Sequence, residues 1–246
     1  MKKIRLDILL SNIRSIDDLT RTRASALIME GMVSVDGQIC TKPGISVSPD
    51  SLIEIKKTDG YVSRGGLKLK GTLADFCINV KGKRIIDIGA STGGFTDCVL
   101  REGAEFVYCI DVGYGQLHYS LRNNKKIKNL ENTNIRYLSF EEIGEKLDMA
   151  VCDVSFISLA KVLPNIKNFI KTGGLILSLI KPQFETEDKR ALKKGIIKDN
   201  AVHETVINRI IEFSKNLNLT VVGVKKSCIK GKKGNTEFFI LLSKNT

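Results

Sequence analysis

In the stretch Ile85-Ile86-Asp87-Ile88-Gly89-Ala90-Ser91-Thr92-Gly93-Gly94-Phe95-Thr96, a short β-branched run carrying Asp87 gives way to a loop of small residues. A helix-compatible segment follows at 96–102. This is the pattern of strand, Gly-rich loop and helix. Glycines let the backbone turn tightly and lie against a ligand, and the helix start offers unpaired N–H groups, so a nucleotide-like ligand can sit there. The next apolar run, Phe106-Val107-Tyr108-Cys109-Ile110, ends at Asp111. A carboxylate at that point suits the two hydroxyls of a ribose. Its distance from the loop is roughly the ~20 residues that a dinucleotide-type fold shows. Asp87, Gly89, Ser91, Thr92, Gly93, Gly94, Phe95 and Asp111 are therefore the candidate ligand contacts. A Gly-rich turn alone also serves packing, so the rest of the chain has to carry the argument.

Outward from this unit, apolar strand-sized runs alternate with helical segments. Strands are expected at 148–153, 175–180, 219–224 and 236–242, and a third strand either at 127–130 or at 135–138 with Asn134 close to its end. Helices are expected at 63–79, 155–170 and 201–216, and charged loops at 186–200 and 225–234. Such alternation predicts an α/β fold: a mostly parallel sheet with helices on both faces. The closing helix, strand and hairpin strand mark the seven-stranded Rossmann-like sheet of the methyltransferase type, whose last strand is antiparallel. Ligands in such sheets bind at the carboxyl ends of the strands. The polar residues there are Asp87, Asp111, Asn134, Asp153 and Lys181. Glu237 stands where the last strand begins, and Lys68 one turn inside the helix that leads to the first strand.

The chain has 246 residues, enough for one good core and a small extra module. Its formal net charge of +12 does not help folding and points to a polyanionic partner, nucleic acid before anionic membrane. No apolar run approaches the ~18 residues of a membrane span. Arg5 and Asp7 break any apolar core of a leader at the start. The six cysteines form no CxxC pair, and with two histidines they make no zinc site. They read as reduced, buried thiols, which fits the cytoplasm.

Residues 1–58 form a small basic module, 59–62 a linker after a polar run from 56, and 63–246 the larger domain. In the module, Thr20 caps an amphipathic helix whose first turn carries Arg21 and Arg23 against the helix dipole. Residues placed against that preference usually have another task. Val33-Ser34-Val35-Asp36-Gly37-Gln38 reads as a strand and a hairpin turn. Arg5-Leu6-Asp7, Thr22-Arg23-Ala24, Leu27-Ile28, Gly31, Val33-Ser34-Val35-Asp36-Gly37 and Lys42-Pro43-Gly44 resemble the small RNA-binding domain shared by a small-subunit ribosomal protein and many pseudouridine synthases. That resemblance implies RNA contacts by Arg21 and Arg23, with Lys42 nearby. Arg5 and Arg64 are assigned to RNA with them.

The larger domain resembles the FtsJ-like ribose methyltransferases, and more narrowly the TlyA family, once named hemolysins. The residues that carry this are Val62-Ser63-Arg64-Gly65-Gly66-Leu67-Lys68-Leu69, the glycine stretch from Asp87 to Thr96, and Asp111-Val112-Gly113-Tyr114-Gly115-Gln116-Leu117. Cys152-Asp153-Val154-Ser155-Phe156-Ile157-Ser158-Leu159, Ile180-Lys181-Pro182-Gln183-Phe184-Glu185 and Gly234-Asn235-Thr236-Glu237-Phe238-Phe239 complete the set. The resemblance implies a catalytic tetrad at Lys68, Asp153, Lys181 and Glu237. It also implies S-adenosylmethionine held by Gly93, Phe95, Asp111 and Asn134, with Asp153 at the edge of the same site. Asn134 stands where the wider pattern has an aspartate facing the adenine. The implied partner is rRNA or a ribosomal subunit, with a cytidine of large-subunit rRNA as the target; no metal is implied.

The residue types suit that chemistry. A ribose 2′-hydroxyl needs a base or a strong acceptor to become a nucleophile, and a lysine amine serves once desolvation or a cationic neighbour favours its neutral form. Lys181 beside Lys68 fits this, with Asp153 and Glu237 orienting the pair. Methylation at a base carbon would ask for an accessible cysteine nucleophile, and at an exocyclic nitrogen for an Asp/Asn-Pro-Pro-aromatic run. Asp153-Val154-Ser155-Phe156 has no proline, and Cys152 lies inside the strand. Two other classes stay open: a membrane-active hemolysin, which would need a span or a lipid-binding amphipathic helix, and an RNA-binding assembly factor without turnover.

Overall fold

The computed structural model describes residues 3–13, 19–29, 31–55, 60–188, 191–192, 194–231 and 234–245. The polar run at 56–59 and part of the basic loop, at 232–233, lie outside the described residues. The first elements are β1 (Ile4–Arg5), α1 (Leu6–Ser11), α2 (Arg21–Met29), β2 (Val33–Val35), β3 (Gln38–Cys40), β4 (Ser46–Val47) and β5 (Ile53–Ile55). β1 pairs with β4, and β3, β2 and β5 form a three-stranded antiparallel sheet. Asp36 and Gly37 both take positive φ, 50° and 77°, as a two-residue hairpin turn of matching twist requires. Leu6, Leu10, Ala24, Ile28, Val33, Val35 and Val47 close a small core of their own.

The larger part runs α3 (Arg64–Asp75), β6 (Arg84–Ile88), α4 (Gly94–Arg101), β7 (Phe106–Ile110), α5 (Tyr119–Arg122), β8 (Ile127–Leu130), α6 (Phe140–Ile143), β9 (Leu147–Cys152) and α7 (Leu163–Phe169). It continues through β10 (Ile170–Ile180), α8 (Pro182–Glu185), α9 (Asn200–Asn216), β11 (Leu219–Lys226) and β12 (Phe238–Lys244). Seven strands form one sheet in the order β11-β12-β10-β9-β6-β7-β8. β6 to β10 are parallel, and β12 lies antiparallel between β10 and β11. The parallel strands are covered on both sides, which is why they read as near-continuous Val/Ile/Leu runs rather than as alternations. Ile86 and Ile88 point towards α7 and α9, and Ile85 and Asp87 towards α3 and α4. After β6 the chain builds outward through β7 and β8, then returns to place β9 on the other side. That reversal opens a crevice at the carboxyl ends of β6 and β9.

The expected fold holds, with local corrections. The third strand is 127–130, and Ile135–Tyr137 is a 3-10 turn capped by Asn134. The segment expected to be helical from 155 begins only with a short 3-10 turn at Leu159–Lys161, because Asp153 to Ser158 form an irregular loop. β10 starts at Ile170 and crosses Gly173-Gly174 with a register shift, instead of starting after them. α3 stops at Asp75, where Phe76 and Cys77 leave helical geometry. Of the six cysteines, Cys98, Cys109 and Cys152 are buried, while Cys77 and Cys228 are exposed and Cys40 is partly so. Among the described residues no helix is long and apolar enough to cross a membrane.

Candidate active site

The glycine loop is shaped by contacts that leave no room for side chains. Gly89 has φ +80°, and a Cβ there would lie 2.8 Å from the Asp153 carbonyl oxygen. Gly93, at φ +93°, caps α4, and a Cβ would run into Leu117 and Leu121. Ser91 also takes a positive φ, 49°, and its N–H donates to Asp111 Oδ2 at 2.8 Å. The Gly113 N–H donates to Asp111 Oδ1 at 2.7 Å. Asp111 thus ties the loop after β6 to the loop after β7, while each carboxylate oxygen keeps acceptor capacity for a ligand hydroxyl. Thr92 accepts a bond from the His118 N–H through its carbonyl, and Gly94 packs directly on Ser63.

Asp87 is fully buried beneath this loop. Its Oδ2 accepts from Thr96 Oγ1 at 2.6 Å, and its Oδ1 has no hydrogen-bond partner among the described residues. Burial pushes its carboxyl up to about 7, and the charges of Asp153 and Asp111 add to that against the Thr96 bond. A buried carboxylate oxygen without a partner is costly. A ligand carrying positive charge, near three acids at the same sheet edge, would relieve it. Phe95 is buried in the core against Phe239, at 6.1 Å between ring centroids, and supports the loop from beneath. Asn134 Oδ1 caps the 3-10 turn by accepting from the Arg136 N–H at 3.1 Å, so its carboxamide NH₂ is the group it can turn to a ligand.

The four candidate catalytic residues come from four elements but gather at one edge. Ile180 of β10 pairs with Phe238 of β12, which puts Lys181 and Glu237 one residue beyond the same rung on neighbouring strands. Asp153 follows β9, the strand on the other side of β10. Lys68 is on α3, whose start is capped by Ser63. The four form two pairs, Lys68–Glu237 buried and Lys181–Asp153 partly so, with the Asp153 side chain 23% exposed. Lys68 Nζ donates to Glu237 Oε2 at 2.6 Å, and Lys181 is ion-paired with Asp153 and donates to Ser155 Oγ at 2.8 Å. The backbone of Gly231 lies flat over the Glu237 carboxylate, where a Cβ would collide with it. Asn235 holds the flanking loop by accepting from the Ile197 N–H and donating to the Gly195 carbonyl, each at 2.9 Å. Cys152, inside β9, has its thiol pushed up to about 12 by burial, which leaves it poor as a nucleophile.

Two features of this edge are absent from the sequence-derived set: Ser155 and Phe156. Phe156 has φ +63° and is 89% exposed, and its ring packs on Phe184 at 4.8 Å between centroids. A bulky residue in left-handed geometry with its ring in solvent is a strained and exposed arrangement. Its signal in the sequence was only an aromatic residue three positions after the strand-end acid.

The basic candidates divide. Arg5 donates to Asp7 through Nε and Nη2 at 3.0 and 2.9 Å, and Arg21 Nε donates to Asp7 Oδ2 at 3.1 Å. The Arg5 bonds hold the Asp7 carboxyl well below the usual range, at about 2. Two half-exposed guanidinium groups are therefore fixed side by side on one buried acid. Lys42 is exposed and precedes Pro43, whose carbonyl accepts from the Asp7 N–H at 3.0 Å. Arg23 was expected to face RNA, but it is buried with its guanidinium 4.8 Å from the Tyr119 ring centroid, at the contact between the small module and the segment beside the glycine loop. Arg64 donates to the Lys230 carbonyl at 3.0 Å and steadies the basic loop.

A family model described as FtsJ-like methyltransferase matches residues 61–244. The Bacillus subtilis protein YqxC, provisionally named an rRNA methyltransferase, is 42% identical over 98% of this chain and 86% of its own. A Mycobacterium tuberculosis protein named 16S/23S rRNA (cytidine-2'-O)-methyltransferase TlyA is 41% identical over 92% of this chain and 85% of its own. A solved structure from Streptococcus thermophilus, provisionally named a hemolysin, superimposes with a TM-score of 0.77 at 37% identity, covering 100% of this chain and 90% of that one. Fold, strand-end constellation and sequence agree: the chain belongs to the FtsJ-like methyltransferase family.

Proposed function

We propose that this protein is an rRNA 2′-O-ribose methyltransferase that uses S-adenosylmethionine and acts on a cytidine. The observation that carries this reading is the pair of lysine–carboxylate contacts, Lys68–Glu237 and Lys181–Asp153, at the sheet edge next to the glycine loop. Neither a cysteine thiolate nor a proline-flanked acid is present there, so the edge is fitted to a hydroxyl rather than to a base atom.

Asp111 is assigned to the cofactor's ribose hydroxyls, and Gly89, Ser91, Thr92, Gly93 and Gly94 to the backbone cradle. Asp87 lies beneath it, and its raised carboxyl ionises more readily against a positively charged ligand. The unpartnered Asp87 oxygen and the close-packed glycines fit a cationic nucleoside of this kind. When bound, S-adenosylmethionine supplies a methyl group already activated on a sulfonium. The chain's own residues then align the 2′-oxygen and take its proton at Lys181 Nζ. Asp153 orients that amine. Glu237 and Lys68 complete the polar wall on which the ribose rests. Phe156 offers an exposed ring on which the target base can stack.

Residues 1–58 are assigned as the RNA-anchoring domain, 59–62 as the linker and 63–246 as the methyltransferase domain. Arg5 and Arg21, fixed on Asp7, are suited to hold phosphates, with Lys42 beside them. As an enzyme acting on ribosomal RNA, the protein is assigned to the cytoplasm. The test is methylation of ribosomal subunits taken from cells that lack the protein, followed by nuclease digestion and mass analysis. The expected product is a ribose-methylated cytidine, with large-subunit RNA as the first place to look. A methyl group on the base fragment would reject the roles given to Lys68, Asp153, Lys181 and Glu237. Lys181→Ala is expected to lower turnover by ~10²-fold or more while cofactor binding persists.

A further inference from the structure

Two loops converge on one amine. After β9 the chain passes through Asp153, Val154, Ser155 and Phe156, where the left-handed φ of Phe156 bends it back. Phe156 packs on Phe184, three residues beyond Lys181, so the loop after β9 and the end of β10 are held together on their outer side. On the inner side Lys181 has two different acceptors from a single turn. One is the Asp153 carboxylate, and the other is Ser155 Oγ, which accepts from Nζ at 2.8 Å. Lys68, by contrast, is held by Glu237 from another strand.

We propose that Ser155 is a positioning residue for methyl transfer: it fixes the rotation of the Lys181 amine so that its one remaining position faces the incoming hydroxyl. The proposal rests on the reading of Lys181 as the proton acceptor. To take the hydroxyl proton, Lys181 must first give one of its three ammonium protons to solvent; it then carries two N–H bonds and one lone pair, and it rotates freely about Cε–Nζ unless both hydrogens are engaged. With Asp153 alone, one hydrogen is anchored, and the lone pair exchanges places with the other. With Ser155 as second acceptor, the lone pair has a single direction. A proton acceptor acts only when aligned with the proton it takes, so fixing the rotor raises turnover without adding binding.

Ser155 is exposed, so truncating it removes one hydrogen bond and leaves the core alone. In the full-length protein, Ser155→Ala is expected to lower kcat about 10-fold, short of the ~10²-fold expected for loss of the acceptor itself. The KM for RNA and the calorimetric Kd for S-adenosylmethionine should stay within about twofold, since neither ligand is bound through this hydroxyl. Ser155→Thr, which keeps the hydroxyl, should restore most of the rate. A second readout needs no bound ligand. With lysines labelled with nitrogen-15, the Nζ–H signal of Lys181, identified by its loss in Lys181→Ala, should be visible in the wild type. It should broaden into exchange with water in Ser155→Ala and return in Ser155→Thr.

Wild-type kcat in Ser155→Ala, or equal impairment of the Ala and Thr variants, would overturn the proposal. A raised KM for RNA at unchanged kcat would also overturn it, by making Ser155 a substrate contact. The two levels separate cleanly. Full turnover in Lys181→Ala removes the proton-acceptor reading, and Ser155 with it. An inactive Lys181→Ala beside an unimpaired Ser155→Ala removes the role of Ser155 alone.

Discussion

Replacing Gly89 by alanine tests how the cofactor loop and the catalytic edge are joined. At φ +80° an added Cβ costs roughly 1–2 kcal/mol in backbone strain. It would also stand 2.8 Å from the Asp153 carbonyl oxygen, 3.1 Å from the carbonyl carbon and 3.3 Å from Val154 Cα. All three are backbone atoms, so no flexible side chain can swing away, and overpacking of this kind costs about 1–3 kcal/mol. The stiffer unfolded chain returns roughly 0.4–1 kcal/mol. The net loss is about 1–4.5 kcal/mol, or roughly 2–18 °C in Tm for a domain of this size. The clash is relieved only by moving the loop after β9, which carries Asp153 and through it Lys181, so turnover should fall by at least ~10-fold. Gly82→Ala is the control: its φ is +70°, but a Cβ there meets nothing within 4 Å. It carries the strain without the clash and should keep full turnover. Circular-dichroism melting and methyl-transfer assays on both variants decide the matter. If Gly89→Ala matched Gly82→Ala in melting and in rate, the close approach of the two loops would have no energetic weight and the reasoning would fail.

Asp111→Ala should weaken S-adenosylmethionine binding by about 1–3 kcal/mol, the scale of hydrogen bonds to a charged group, because the carboxylate also ties Ser91 and Gly113 together; calorimetry with a wild-type Kd would refute this. Truncation of residues 1–58 should abolish most RNA affinity, and the affinity of the full chain should drop steeply with salt as phosphate contacts release counterions. Equal affinities with and without the module would count against it. Asp7 titrates at about 2, below its ordinary value, so its pairs with Arg5 and Arg21 contribute fully above about pH 4, and that contribution is lost as pH falls through about 2. Solvent screening at the half-exposed arginines keeps that contribution small. Acid unfolding of the wild type and Asp7→Asn should therefore converge at low pH, and parallel curves would contradict the assignment.

The sequence alone determined those features whose cause is local. The β-branched run before Gly89, the small residues up to Gly94 and the acid at Asp111 specify strand, loop and helix because backbone freedom and side-chain period act over a few residues. The Asp36-Gly37 turn is specified in the same way. The alternation of such units limits the sheet to a few topologies, and in those the strand ends bring Asp153, Lys181 and Glu237 to one edge. Only the tertiary structure decided which groups meet. Lys68 and Glu237 are 169 positions apart, and their pairing depends on α3 packing beside a β12 strand that runs antiparallel to β10. Burial also comes from packing. It left one Asp87 oxygen without a partner and raised that carboxyl, and it turned Arg23 from RNA towards Tyr119. It gave Asn134 a capping bond. The turn that sets Ser155 against Lys181 and Phe156 into solvent was equally hidden. An irregular loop has no period to read, and its shape is fixed by the strand ends and by the Phe184 ring it packs against.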